Sequence, residues 1–195
     1  SPDMRYVWRN YSTRQVLKLM PRPNQYLLVI LLLLQSVLSA ALATDQKTLD
    51  QLFDGLKNAP DETSARGYEH QIWLRWFESG DDSIDQLMEQ AVSKRNLYDF
   101  NGALEILDNV IAQKPDYAEA WNQRATVYFH QGEYEKSLWD VAKTLELEPR
   151  HFGSMAGRAV IRLFQGKPAL ARQNLLQALE YHPYLKERSF FPDLQ

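Results

Sequence analysis

Cysteine is absent from this chain of 195 residues. Its absence excludes disulfides, thiolate metal sites, a cysteine nucleophile and the lipid-bearing cysteine of a bacterial lipoprotein. The redox compartment stays open, because a thiol-free chain suits oxidising and reducing spaces alike. There is no marked excess of either charge. With histidines neutral, 22 basic and 25 acidic side chains give a net charge of −3, and the basic face of a dedicated nucleic-acid binder is missing. The sequence also lacks strand-like alternation, a glycine-rich phosphate loop, a G-x-S-x-G elbow and an H-E-x-x-H pair. No catalytic, cofactor or metal site is therefore expected. His70, His130, His151 and His182 are too scattered for ligand spacing, and the last two are expected in loops beside prolines. Hydrophobic residues make up 45% of the chain and charged ones 24%, enough for one domain with a core.

Residues 1–43 differ from everything after them. Tyr26 to Leu34 is an unbroken apolar run, preceded by Arg22 and followed by Ala41-Leu42-Ala43. A basic flank, a short apolar stretch and an A-x-A end form the layout of a signal peptide, with cleavage expected after Ala43 and a periplasmic destination. The alternative is an uncleaved anchor, since residues 26–43 are at the lower limit for spanning a bilayer. Any membrane contact is expected through that segment alone. Upstream, Arg5, Arg9, Arg14 and Lys18 resemble an organellar presequence, and either Met4 or Met20 serves as the start. Removal of these cations leaves a distinctly acidic remainder.

From residue 84 the chain repeats itself. Pro115, Pro149 and Pro183 stand 34 residues apart, and Ala91, Ala125 and Ala159 keep the same interval. Three units follow, 84–117, 118–151 and 152–185, each with two helical stripes. Trp121, Ala125, Tyr128, Gly132, Tyr134 and Pro149 mark the middle unit. With these residues in these places it resembles a tetratricopeptide repeat. The resemblance implies an all-α fold, a right-handed α-solenoid of antiparallel helix pairs. Ala91, Ala125 and Ala159 are expected to face the small residues Ala103, Ser137 and Ala171. Gly132 and Gly166 suit positive φ, and Pro168 suits a helix start. Asp116 and Glu119 read as a capping box. Tyr98 departs from the pattern, standing where the turn glycine belongs. Residues 44–83 read as one more helical hairpin, a degenerate repeat capping the array, and 186–195 as a tail that folds back or engages a partner.

The resemblance also implies a concave groove, lined by the first helix of each unit, that holds a protein or peptide. Residue by residue the groove positions are Met88, Val92 and Arg95, then Asn122, Thr126, Phe129 and His130, then Ala156, Val160, Leu163 and Phe164. Asn122 and Thr126, one turn apart, are expected to hold a peptide backbone. One subset of the family grips the carboxylate end of heat-shock chaperones through lysine and asparagine. Met88, Val92, Gln123, Gly153 and Gly157 fill those positions here, so that ligand class is not expected. The expected role is an exported, non-catalytic scaffold or adaptor. Its alternative is a subunit docked permanently in an envelope or organelle-membrane complex.

Overall fold

Short polar side chains open four of the eight helices in the computed structural model, which describes residues 47–194. The expected targeting segment, 1–43, lies outside the described residues. Thr48 and Gln51 close a capping box, and Asp61, Asp81 and Asp99 each accept backbone N–H bonds at the start of the next helix. Pro168 begins the last helix, where its missing N–H leaves no bond unmade. Eight α-helices result among the described residues: α1 Leu49–Lys57, α2 Glu62–Phe77, α3 Asp82–Asn96, α4 Phe100–Gln113, α5 Ala118–His130, α6 Tyr134–Leu147, α7 Phe152–Phe164 and α8 Pro168–Leu179. They pair in sequence, α1 with α2 through to α7 with α8. The expected all-helical array of hairpins is the observed one.

Within each repeat the small residues do what their size allows. Ala91, Ala103, Ala125, Ser137, Ala159 and Ala171 are all buried where paired helices touch. Ser137 is polar but satisfied, its hydroxyl donating to the Ala125 carbonyl at 2.7 Å. Turn glycines Gly132 and Gly166 have φ of 75° and 68°, and Tyr98 takes the same left-handed conformation at 62°. A side chain there costs about 1–2 kcal/mol. The register of the repeat outweighs the preference of the residue.

Between the first two repeats the clamp is Arg124 on α5. It reaches Asp140 on α6 through two bonds of 2.8 Å and Asp108 on α4 at 2.7 Å. Burial disfavours the Arg124 charge, yet the two carboxylates raise its pKa overall. Burial also pushes the Asp140 carboxyl up, against the pull of Arg124. Both drifts are upward, which favours the charged guanidinium and disfavours the charged carboxylate; the fork geometry holds the pair.

Two expectations need correction. The capping box at Asp116 does not form: α5 starts after Tyr117 with no side-chain cap, and Glu119 turns inward to 1% exposure. The α1–α2 hairpin exists, but it builds its core with the third repeat. Leu52, Phe53, Leu56, Ile72 and Trp76 cluster with Phe152, Met155, Ala178 and Leu185. A separate cluster from α3 to α5 holds the first two repeats. The tail turns back on α8, where Asp193 meets Arg172 at 2.6 Å.

Replacing Arg124 with methionine is expected to lower stability by about 3–5 kcal/mol, because Asp140 stays buried without its cation. Asp108→Asn, at an exposed carboxylate, is expected to cost under about 1 kcal/mol. Urea unfolding of both variants checks the contrast, and equal losses would show that burial of Asp140 does not set the clamp.

Candidate functional site: a divided groove

The groove-facing helices are α3, α5 and α7, and α2 lies against two of them. Tyr117, just before α5, donates its hydroxyl to the Phe77 carbonyl at 2.9 Å. One residue earlier on α2, Trp76 stacks on His151 with ring centres 3.9 Å apart and planes 10° from parallel. The adjacent Trp73 meets Phe152 edge-on at 5.8 Å. It also fills the space above Gly153, where a Cβ would fall 2.7 Å from the indole. Glu69, one turn earlier, faces His182 at 3.3 Å. On α1, Asp50 pairs with Arg150 at 2.6 Å, and Arg150 lies 4.5 Å over the Phe53 ring. The hairpin thus covers the opening turns of the third repeat.

Beneath α2 remains a cavity of about 570 Å³, lined from the array by Arg95, Asn122, Gln123, Thr126 and Ala156. A second, of about 340 Å³, adjoins it and adds Phe129, His130 and Val160. These are groove positions read from the sequence, brought together as expected. Others are not. Met88 is 1% exposed in the first repeat's core, so no ligand reaches it. Val92 lines a different shallow depression with Phe77, Glu89 and Leu97. Leu163 lines neither cavity, and Phe164 stands exposed in edge contact with Phe129 at 5.4 Å.

The expected peptide-holding amide is also engaged internally. Asn122 donates to the Glu119 carboxylate at 3.2 Å and accepts from the Ser154 hydroxyl at 2.7 Å. Thr126 donates to the Asn122 carbonyl at 3.0 Å. Glu119 is the centre of this network. It also accepts from Gln123, whose own oxygen takes a bond from Arg95. The Ser154 N–H donates to His151 Nδ1 at 3.0 Å, which leaves the ring proton on Nε2, 3.0 Å from Glu119 Oε2. A buried carboxylate is tolerated because donors from three side chains surround it.

Arg95 shares the cavity lining with Glu62, Arg66, Glu69, Lys186 and Glu187. Its side chain bonds to the amide oxygens of Gln123 and Asn96, with no carboxylate at ion-pair distance among the described residues. Burial lowers its pKa, and the charge of Glu119 partly restores it. Burial, then the Arg95 charge, lower the His130 pKa. His130 stacks on Phe100 at 5.7 Å. No group of His, Asp and Glu suited to a metal ion occurs among the described residues.

Sequence reasoning passed over Glu119, His151, Gly153 and His182. Glu119 in a first turn reads as a cap, and histidines beside prolines read as loop residues. One signal was present: Glu69, Trp73 and Trp76 sit at i, i+4 and i+7, one helical face.

An array of helical hairpins with a concave binding face defines a class of scaffold proteins, and comparison narrows it. Residues 88–149 match the tetratricopeptide repeat family. A TPR repeat-containing protein of Rhizobium etli is 40% identical over 147 residues, covering 73% of this chain and 70% of that protein. The chain belongs to the tetratricopeptide repeat family. DnaJ protein P58IPK homolog A of rice is 30% identical over 109 residues, which are 56% of this chain and 22% of that protein. Among solved structures, the first TPR of Spaghetti (RPAP3) bound to HSP90 peptide SRMEEVD superposes with a TM-score of 0.53. It covers 55% of this chain and 85% of that one at 17% identity, a likeness of fold alone.

Two measurements test the division of the groove. Gly153→Ala is expected to cost about 1–3 kcal/mol, since Trp73 is wedged by its neighbours and must shift. Gly157→Ala, with nothing within 4 Å of its added Cβ, is expected to stabilise α7 by roughly 0.5–1 kcal/mol. The second concerns acid. The bond from His182 holds the Glu69 carboxyl below the ordinary glutamate range, against its burial. A depressed carboxylate contributes stability above its unfolded pKa and loses it as pH falls through the folded value. Glu69→Gln is therefore expected to melt earlier at pH 7, with the gap to the parent chain closing below about pH 4. A gap that persists in acid would remove the hydrogen-bonded carboxylate as its cause.

Proposed function

We propose that the chain is a non-catalytic scaffold that binds a protein or peptide segment in the open part of its groove. The observation that carries this is the joined pair of cavities, about 570 and 340 Å³, lined by Arg95, Thr126, Phe129 and Val160. Cavities of this size hold side chains, and few but directed polar groups set orientation. The Arg95 guanidinium favours an acidic side chain or terminus, and Phe129 with Val160 favours an apolar neighbour. The heat-shock carboxylate is not the proposed ligand: Met88, Val92, Gln123, Gly153 and Gly157 supply no cation, and Trp73 covers Gly153. Adaptor work outside the cytoplasm, in the periplasm after cleavage near Ala43, completes the reading. It rests on the residue pattern of 20–43.

The rival, a subunit permanently docked in a membrane-associated complex, has one observation in its favour: α1–α2 already covers part of the groove. A constant large assembly on size exclusion of native extract would favour it.

Photo-crosslinking residues placed at Thr126 and Val160 are expected to capture the same partner in the native host. Capture is expected to fail from Asp116 on the outer edge, and to be lost with Arg95→Glu. Equal adducts from all three positions, or none from the groove, would remove the groove as the binding site. Sequencing of the mature N-terminus is expected to begin at Thr44; retention of residues 20–43 would replace export by anchoring.

A further inference from the structure

We infer that Arg158, on the side of α7 that meets α8, forms with Arg162 an open site for the carboxylate of an acidic segment on a partner protein. The site is separate from the groove, since Arg158 lines neither cavity. It stands or falls independently of the scaffold reading.

The repeat itself shows which ligand fits. Arg158 follows Arg124 by 34 residues and holds the same place in the next unit. In the second repeat that arginine is clamped by Asp140 on α6 and Asp108 on α4. The corresponding residues one unit on are Asn174 and Ala142. Both carboxylates are gone while the cation stays.

What surrounds Arg158 does not meet its charge. One guanidinium nitrogen donates to the Gln177 side-chain oxygen on α8 at 2.9 Å. The Nε–H is buried with no partner among the described residues, and none of their carboxylates lies at ion-pair distance. Arg162, one turn on, donates to the Gln165 amide oxygen at 2.7 Å. Glu135 enters only through the N–H of that amide, at 2.9 Å. Burial, then the Arg162 charge, lower the Arg158 pKa. Like charges at i and i+4 repel, and a partly buried guanidinium without an anion is costly to keep.

The guanidinium fork favours a planar carboxylate, which accepts two parallel N–H bonds, and Arg124 makes that pair with Asp140 in this fold. A depression beside Arg124 is lined by Tyr128, Lys136 and Trp139. One repeat on, those places hold Arg162, Leu170 and Gln173, so a second cation and an apolar residue replace a ring and a lysine. Leu170 is exposed. The chemistry that fits is an aspartate or glutamate beside an apolar side chain. The chain's net charge of −3 gives acidic segments no general attraction, so their binding must be local.

The test titrates the isotope-labelled full chain with a blocked hexapeptide of alternating leucine and glutamate, and separately with inorganic phosphate. The peptide is expected to bind saturably, to shift the Arg158 Nε–H resonance, and to bind at least about tenfold more weakly to Arg158→Gln. Asn174→Asp restores the second repeat's carboxylate in cis. It is expected to weaken the peptide similarly and to raise the urea midpoint. No saturable binding, or binding that survives both substitutions, overturns the proposal. Binding lost with Arg95→Glu but kept in Arg158→Gln would put the peptide in the groove and overturn it too. Phosphate that saturates the Arg158 resonance where the peptide does not would replace the protein carboxylate as ligand. Stability supplies a readout without any probe. Arg158→Met is expected to keep or raise the urea midpoint, unlike Arg124→Met. Equal losses from the two would show that Arg158 is satisfied within the fold and has no site to offer.

Discussion

One buried carboxylate holds the second repeat to the third. Glu119 on α5 has 1% exposure and is surrounded by Asn122, Gln123 and His151. Removing a single donor would leave a buried charge partly unmet, which costs far more than an ordinary hydrogen bond gains. The network therefore fixes the rotamers of Asn122, Gln123 and His151 together. Because His151 also caps α7 through the Ser154 N–H, the start of the third repeat is positioned by the same group.

Two consequences reach the groove. The amides of Asn122 and Gln123 are engaged internally, so the polar chemistry left at the cavity belongs to Arg95 and to the charged side chains of α2 and the tail. The imidazole of His151 lies flat toward α2, which is why Trp76 stacks there although its own indole N–H finds no partner. Stacking and apolar burial of a tryptophan outweigh one unmade bond of that size. The hairpin is consequently drawn to the third repeat, where an aromatic platform exists, and not to the exposed flank of the first.

The helices were legible because their signals are local. The turn glycines Gly132 and Gly166, the proline at 168 and the small residues Ala91, Ala125 and Ala159 act over one or two turns. Even Tyr98 was identifiable as a turn residue from register alone, and its left-handed backbone shows that register overrides residue preference. The groove was legible where a position has one possible face, as at Arg95, Thr126 and Val160. Met88 turns inward because the first repeat's core claims it, and Asn122, although it lines the cavity, has its amide held by Glu119 and Ser154. Glu119 was misread because its first-turn position is compatible with capping or with burial, and only its partners decide.

By itself the sequence determined the order, length and pairing of the helices, since periodic apolar stripes and small facing residues leave each hairpin one way to close. It also determined the family. Tertiary structure alone decided where the unmatched N-terminal hairpin docks and which side of the groove stays open. Those outcomes depend on Trp73 meeting the bare backbone of Gly153 and Trp76 meeting His151, across roughly eighty residues of chain. No local rule spans that distance.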